Sequence, residues 1–254
     1  MAPAPPNNTL LARPGAWVDL GLTLPIFLVY HLSVVFLGVQ NATDMVTGTL
    51  LRMSAGDTTK YLLATVAIGV IFAGTFALLG RGQAFRPQKF LQVIVEGTVY
   101  AFVMALTANF VVGSLFAGAA GGLRDQGRFV GFIMSLGAGF YEELSFRVLL
   151  FGLGAKLLLW VFGEHTVELS GTTRVTSGWS VRSFFVVVAW AFVCALIFSG
   201  VHYVGPMSDS FQLTSFTFRA VLGLLLTLIF ATRGFAAAVW THAIYDVWVL
   251  VLRA

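Results

Sequence analysis

Two adjacent carboxylates and an arginine lie in the middle of a strongly apolar stretch, in segment 140–147 with the sequence FYEELSFR. A charge at membrane depth costs about 2.5–3.5 kcal/mol on insertion scales, so such residues usually face a protein interior and serve a function. In a helix, Glu143 and Arg147 are four residues apart and can pair on one face. Glu142 lies about 100° further round the helix. We therefore predict that Arg147 holds Glu143 and that Glu142 is free for chemistry.

Further polar residues lie in two other apolar stretches of the chain. These are His202, His242 and Asp246, and Asp246 follows His242 by one helical turn. Hydrogen bonds between helices of a membrane bundle would explain any one of them. Because six polar residues occupy three separate stretches, a shared polar cavity is the better explanation.

A glutamate, two histidines and a further carboxylate suit two kinds of chemistry. If zinc is bound, Glu142, His202 and His242 form a histidine–carboxylate ligand set that leaves a position open for water. Without a metal, Glu142 can act as a base that activates water for attack on an amide or ester carbonyl. Imidazole N–H groups would then stabilise the oxyanion that develops. The sequence has no His-Glu-x-x-His pair that favours zinc, so we predict no cofactor, with zinc as the alternative.

The composition indicates the kind of protein that carries these residues. Of the 254 residues, 58% are hydrophobic and 10% are charged, whereas soluble domains are roughly 25% charged. The apolar stretches are long and do not alternate, which favours membrane helices over a β-barrel. The formal net charge of +4 comes from arginines at the ends of apolar segments. Since no Lys/Arg cluster exists, we expect a lipid bilayer as partner and no nucleic acid.

We predict an all-α fold: a polytopic integral membrane helical bundle of about seven to eight transmembrane helices around an intramembrane polar cavity. The predicted spans are 17–39, 61–79, 90–116, 130–162, 183–203, 216–231 and 235–252. The chain is expected to form one membrane domain, 1–254, with a disordered tail at 1–14 and a catalytic core at 130–254 that carries the candidate residues.

Four segments between or within these spans have features of their own. Segment 130–162 is too long for one straight span of about 20 residues, so its glycines at 137 and 139 predict a break, and those at 152 and 154 a second adjustment. Segment 40–59 predicts a short interfacial helix. The basic loop 81–89 marks the cytoplasmic side and puts the N-terminus inside. The polar connector 163–182 is either a lid or a plain loop.

Two polar residues of the N-terminal half have simpler explanations than catalysis. His31 is a lone histidine among apolar neighbours, which is typical of a packed residue. Glu96 lies near the start of its span, so we expect it to pair with arginines of the loops rather than to reach the polar cavity.

Taken together, the three motifs resemble the signature of the type II CAAX prenyl endopeptidase family. The motifs are Glu142-Glu143-x-x-x-Arg147, Phe198-x-x-x-His202 and His242-x-x-x-Asp246, in the order of the family and within about 105 residues. That family also includes bacteriocin-processing and self-immunity enzymes, and its members are described as glutamate-type intramembrane proteases.

The resemblance implies a role for each matching position. Glu142 would be the general base that deprotonates water, and His202 would help to hold that water. Glu143 and Arg147 would form a supporting ion pair, and Phe198 of the second motif would be a further supporting residue.

The third motif departs from the prenyl-protease form, which resembles His-x-x-x-Asn. His242 and the residue four positions later would supply the oxyanion site, yet an ionised Asp246 cannot donate a hydrogen bond. Either Asp246 is protonated, or it accepts the ring N–H of His242 and orients that imidazole as the donor. We adopt the second as the working hypothesis.

The function that the resemblance implies is intramembrane endopeptidase activity near the C-terminal tail of a membrane-anchored protein or peptide. The substrate could be prenylated, resemble a bacteriocin or carry a hydrophobic sorting tail. A prokaryotic cytoplasmic membrane is the expected location. Two alternatives stay open, namely a non-catalytic scaffold or self-immunity protein of the same fold, and a small proton-coupled transporter.

Overall fold

The computed structural model describes residues 16–79, 88–116, 127–162, 180–205 and 208–252, and within these ranges all regular secondary structure is helical. The helices in chain order are α1 Ala16–Leu37, α2 Met45–Met53, α3 Thr58–Leu79, α4 Gln88–Leu115, α5 Arg128–Gly137, π1 Ala138–Leu153, α6 Gly154–Phe162, α7 Val181–Val201, α8 Leu213–Arg233, α9 Phe235–Val247 and π2 Trp248–Leu252. The predicted tail, residues 81–87 of the basic loop and residues 163–179 of the polar connector lie outside the described residues.

Seven helices of the described chain are long and apolar enough to cross a membrane. They are Val18–Leu37, Thr58–Thr75, Gln88–Leu115, Arg128–Phe162, Val181–Val201, Leu213–Arg233 and Phe235–Leu252. The predicted all-α, multi-pass membrane bundle is therefore confirmed. A short helix also forms within segment 40–59, where the Asp44 carboxylate caps the N-terminus of α2.

The last span is the centre of the bundle. It has half of its residues buried, and α9 packs against α4, π1, α8 and α5. The buried residues of α9 include three consecutive alanines, 236–238. Small side chains allow membrane helices to approach closely, so this helix can carry a functional side chain into the middle of the protein.

Segment 128–162 is one continuous helix of 35 residues that changes type instead of breaking. It is π-helical from Ala138 to Leu153, so the changes fall beside the predicted glycines. Gly137 and Gly139 serve close packing rather than a break. A Cβ atom on Gly137 would clash with the ring of Tyr30, and one on Gly139 would lie 2.8 Å from the Cβ of Ala243. The predicted break was therefore wrong. From sequence alone, a glycine that lets a neighbouring helix pack closely cannot be distinguished from a glycine that interrupts a helix.

Two polar contacts join the helices at one end of the bundle. Arg233 at the end of α8 pairs with both carboxylate oxygens of Glu96 on α4, the shortest distance being 2.7 Å. The predicted pairing of Glu96 with an arginine is confirmed. The Asp19 carboxylate of α1 accepts the first backbone N–H groups of α9, from Phe235 and from Ala236. Because the N-terminus of α9 is tied to α1 in this way, its axial position is fixed.

Candidate active site

The candidate site has a buried ion pair at its base. Glu143 and Arg147, both on π1, are 0% and 1% exposed, and their Oε1 and Nη1 atoms are 3.1 Å apart. The Arg147 guanidinium also lies over the ring of Phe198 on α7, 4.2 Å from its centroid, which is cation–π geometry. The predicted ion pair thus forms, and Arg147 links π1 to α7 through its contact with Phe198.

Glu143 also holds one of the two histidines. The Nδ1 atom of His242 lies 2.7 Å from the Oε1 atom of Glu143. A carboxylate that is paired with an arginine can only accept hydrogen bonds, so Nδ1 carries the proton and donates it. This contact crosses from α9 to π1 and turns the Nε2 atom of His242 towards Glu142.

His242 lies closer to Glu143 than to Asp246, the residue that the sequence analysis expected to orient it. The Oδ2 atom of Asp246 lies 3.5 Å from the Nε2 atom of His242, longer than a normal hydrogen bond. Glu143 therefore takes the orienting role through the opposite ring nitrogen. Asp246 lies on the other side of the ring, beside the atom of His242 that faces the cavity.

Glu142 faces both histidines. Its Oε2 atom is 3.9 Å from the Nε2 atom of His202 and 4.0 Å from the Nε2 atom of His242. These distances are too long for direct hydrogen bonds and suit groups that share a bridging water. In the described part of the chain, no lysine or arginine comes within ion-pair distance of Glu142. The structure thus brings three of the candidate side chains to one point.

His202 is held by the backbone of its own helix. Its Nδ1 atom lies 2.8 Å from the carbonyl oxygen of Phe198. A carbonyl can only accept, so Nδ1 carries the proton and Nε2 has a lone pair directed to the cavity. His202 caps the C-terminus of α7, just beyond the membrane-spanning residues. Burial lowers the pKa of His202 below its ordinary value, which keeps the ring neutral at pH 7.

The site is more open on one side than on the other. The ion pair at its base is fully enclosed, whereas the side chains of Asp246 and His202 are 21% and 27% exposed. Glu142 lies between these extremes. Among the described residues of the site, Asp246 and His202 thus form its more accessible side.

The sequence analysis missed one residue of this site, Asn41. It lies in the turn between α1 and α2, and its Nδ2 atom donates to the Oε1 atom of Glu142 at 2.9 Å. The local sequence shows only an asparagine shortly before Asp44, the residue that caps α2, and asparagine is common in turns. Nothing in that pattern indicates a partner 101 positions further along the chain.

His31 lies outside the candidate site, as the sequence analysis expected. It is completely buried and contacts the hydroxyl groups of Tyr61 and Tyr141 through its two ring nitrogens. Its polar atoms are thus paired among α1, α3 and π1, in the packing behind the site.

The metal alternative named Glu142, His202 and His242 as ligands. Among the residues that the structure describes, no group of three or more His, Cys, Asp or Glu side chains has the arrangement of a metal site. Independence from metal stays a prediction, which chelation can test.

Comparison with protein families supports the resemblance seen in the motifs. Residues 125–248 match the model of the family described as type II CAAX prenyl endopeptidase Rce1-like. The matched segment is just under half of the chain and contains all three motifs, and the resemblance to this family is confirmed. Comparisons with the curated proteins and with the solved structures give no match.

Proposed function

We propose that this multi-pass membrane protein is an intramembrane endopeptidase, because residues 125–248 match the model of the Rce1-like type II CAAX prenyl endopeptidase family. It would cleave a peptide bond near the C-terminus of a membrane-anchored protein or peptide. The proposal draws on one observation above all: a carboxylate oxygen of Glu142 faces the Nε2 atoms of two histidines at 3.9 and 4.0 Å.

In the proposed reaction, Glu142 removes a proton from a water held between its Oε2 atom and the Nε2 atom of His202. The water oxygen forms a bond to the scissile carbonyl carbon, and the carbonyl electrons move to oxygen. His242 acts in this step as an imidazolium: its Nδ1 proton stays hydrogen-bonded to Glu143, and a second proton on Nε2 donates to the oxyanion, as oxyanion-site donors do. The C–N bond then breaks, and the proton on Glu142 passes to the leaving amine. The products are a new carboxyl terminus and a free amine.

The two neighbouring glutamates have different roles in this proposal because their surroundings differ. Glu143 is enclosed between Arg147 and His242, so its charge is compensated and its oxygen Oε1 is occupied. Glu142 meets Asn41 on one oxygen and the two imidazoles across a gap on the other. Because Glu143 is completely buried and Glu142 is 12% exposed, water reaches Glu142 more readily.

The decisive experiment compares the wild-type protein with Glu142→Gln, purified and reconstituted in liposomes with fluorogenic membrane peptides. The peptides carry a C-terminal Cys-aliphatic-aliphatic-X tail, with and without a prenyl group. Glu142→Gln keeps the shape and the acceptor for Asn41 but cannot take a proton from water. We expect at least a 1,000-fold loss of kcat, since the base and the held water are lost together (general base catalysis alone contributes about 10²–10⁴-fold).

The matched control is Glu96→Gln, the same substitution in another membrane span. Glu96 pairs with Arg233 at the end of the bundle that lies away from the site, so cleavage should persist. Equal cleavage by Glu142→Gln and the wild type would refute the proposed base. Chelation with phenanthroline should leave activity intact, and a loss that added zinc restores would contradict the metal-free reaction. Proton-coupled flux that depends on Glu142, without cleavage, would instead favour a transporter.

A further inference from the structure

A residue outside the matched family segment contacts the proposed base directly. Asn41 is 6% exposed, and its Nδ2 atom donates to the Oε1 atom of Glu142 at 2.9 Å. We infer that Asn41 is a positioning residue that holds the Glu142 carboxylate in its reactive orientation. This inference rests on the proposed function and adds to it a residue of the N-terminal half, from the turn between α1 and α2.

The orientation of the Asn41 amide is fixed by its other end. Its Oδ1 atom lies 2.9 Å from the backbone nitrogen of Thr43 and 2.6 Å from the Thr43 hydroxyl. A backbone N–H can only donate, so the atom facing Thr43 is the carbonyl oxygen. The NH₂ group must therefore be the end that faces Glu142, where it can donate to a carboxylate oxygen.

The turn that carries Asn41 is anchored to two helices. The Asn41 backbone N–H donates to the hydroxyl of Tyr30 on α1 at 2.9 Å, and that hydroxyl donates to Asp44 at 2.9 Å. The other oxygen of Asp44 accepts the N–H groups of Val46 and Thr47 at the start of α2. Every link in this chain is buried or partly buried, so Asn41 meets Glu142 from a rigid position.

The contact has a specific consequence for the base. The last torsion of a glutamate side chain is broad, so packing alone does not select one rotation of the carboxylate. A hydrogen bond to an ionised group is stronger than a neutral one, and here it engages Oε1 alone. The remaining oxygen, Oε2, is then the one that lies opposite His202 and His242.

Two substitutions at Asn41 test this inference by the cleavage assay above. Asn41→Ala removes the donor, and we expect kcat/KM to fall about 10- to 100-fold because a misplaced group loses up to about 100-fold. KM should change little. Asn41→Asp keeps the acceptor for Thr43 and puts a second carboxylate against Glu142. Since two carboxylates that share a site retain a proton, we expect the acid limb of the pH–rate profile to move at least one pH unit upward.

Among the described residues, the charged and titratable groups around Glu142 are unchanged in both variants. They are His202 and His242 opposite Oε2, Asp246 and Glu143 beside His242, and Arg147, which pairs with Glu143. A shift in the profile can then be assigned to the new carboxylate. Thr43→Val is the control, because it removes the hydroxyl contact but keeps the backbone N–H to Oδ1. Its kcat/KM should stay within threefold of the wild type, with an unshifted pH profile.

The outcomes separate this inference from the proposed function. If the wild type cleaves no peptide, or if Glu142→Gln cleaves as well as the wild type, the proposed function fails and the role of Asn41 fails with it. If Glu142→Gln is inactive but folded Asn41→Ala keeps more than half of the wild-type kcat/KM, the inference on Asn41 alone is wrong. Should Asn41→Ala not fold, Asn41→Asp decides. An unshifted pH profile would leave Asn41 with only a structural role.

Discussion

The helices π1 and α9 pack closely at Gly139, and this contact gives a specific prediction for Gly139→Ala. A Cβ atom there would lie 2.8 Å from the Cβ of Ala243, and 2.9 Å from both the Ala243 nitrogen and the Val239 carbonyl oxygen. Carbon atoms in good contact are about 3.5–4.0 Å apart, so the two helices must separate by about 0.7 Å or more. Overpacking of this kind typically costs about 1–3 kcal/mol of stability.

The displacement acts directly on the proposed chemistry. Gly139 lies three residues before Glu142, and Ala243 follows His242, so the separation would widen the 4.0 Å gap between the carboxylate and the imidazole. A misplacement of 1 Å can cost about 100-fold in rate, and we expect Gly139→Ala to lose about 10- to 100-fold in kcat. The assay is peptide cleavage by protein whose folding has been checked by thermal unfolding in the same detergent.

The matched control is Gly113→Ala on α4, where an added Cβ would meet no atom within 4 Å. A helical alanine there should be neutral or stabilising by about 0.5–1 kcal/mol, with activity unchanged. The double variant Gly139→Ala with Ala243→Gly removes one of the three close contacts and should recover part of the lost activity. If folded Gly139→Ala cleaved within a factor of two of the wild type, the link between helix approach and catalysis would be refuted.

Three further predictions concern charged groups. Arg147→Met leaves the buried Glu143 without its cation and should destabilise the protein by about 3–5 kcal/mol. The double variant with Glu143→Gln should recover much of that stability, as measured by reversible unfolding in mixed micelles. Burial lowers the pKa of His202, so protonation of its Nε2 should reduce kcat/KM only at a pH below the ordinary histidine pKa of about 6.5. If the pH–rate profile had an acid limb above pH 7 that His202→Gln abolished, this prediction would be contradicted. Arg233→Ala removes the pair with Glu96, in which both side chains are 20% exposed. The loss of unfolding free energy should lie between the ~1 kcal/mol of an exposed pair and the ~3–5 kcal/mol of a fully buried one.

The sequence predicts the parts of this protein that depend on local spacing. Apolar length alone indicates the seven spans, and four-residue spacing on one helix indicates the pair of Glu143 and Arg147. That pair forms even though the segment is π-helical rather than α-helical. Local patterns carry this information because the residues involved are fixed by one helix.

The contacts that complete the site are not local, and the sequence does not indicate them. His242 meets Glu143 across 99 positions, and Asn41 meets Glu142 across 101. Spacing on α9 pointed instead to Asp246 as the partner of His242, because one helical turn separates them. Helix packing overrides that local choice: the close approach of π1 and α9 at Gly139 puts the Glu143 oxygen nearer to the ring than Asp246.

The two adjacent glutamates illustrate why packing, and not residue type, separates their roles. Arg147 compensates the charge of Glu143. The hydrogen bond from His242 to Glu143 therefore orients the imidazole ring on a carboxylate that is already paired with an arginine. Glu142 has no lysine or arginine within ion-pair distance among the described residues, and it receives one amide hydrogen bond. The less compensated carboxylate is thus the one nearer the open side of the site, opposite two imidazoles. Pairs of titratable groups in contrasting environments are how a site divides acid–base work between them, and here a difference of one position along π1 produces that contrast.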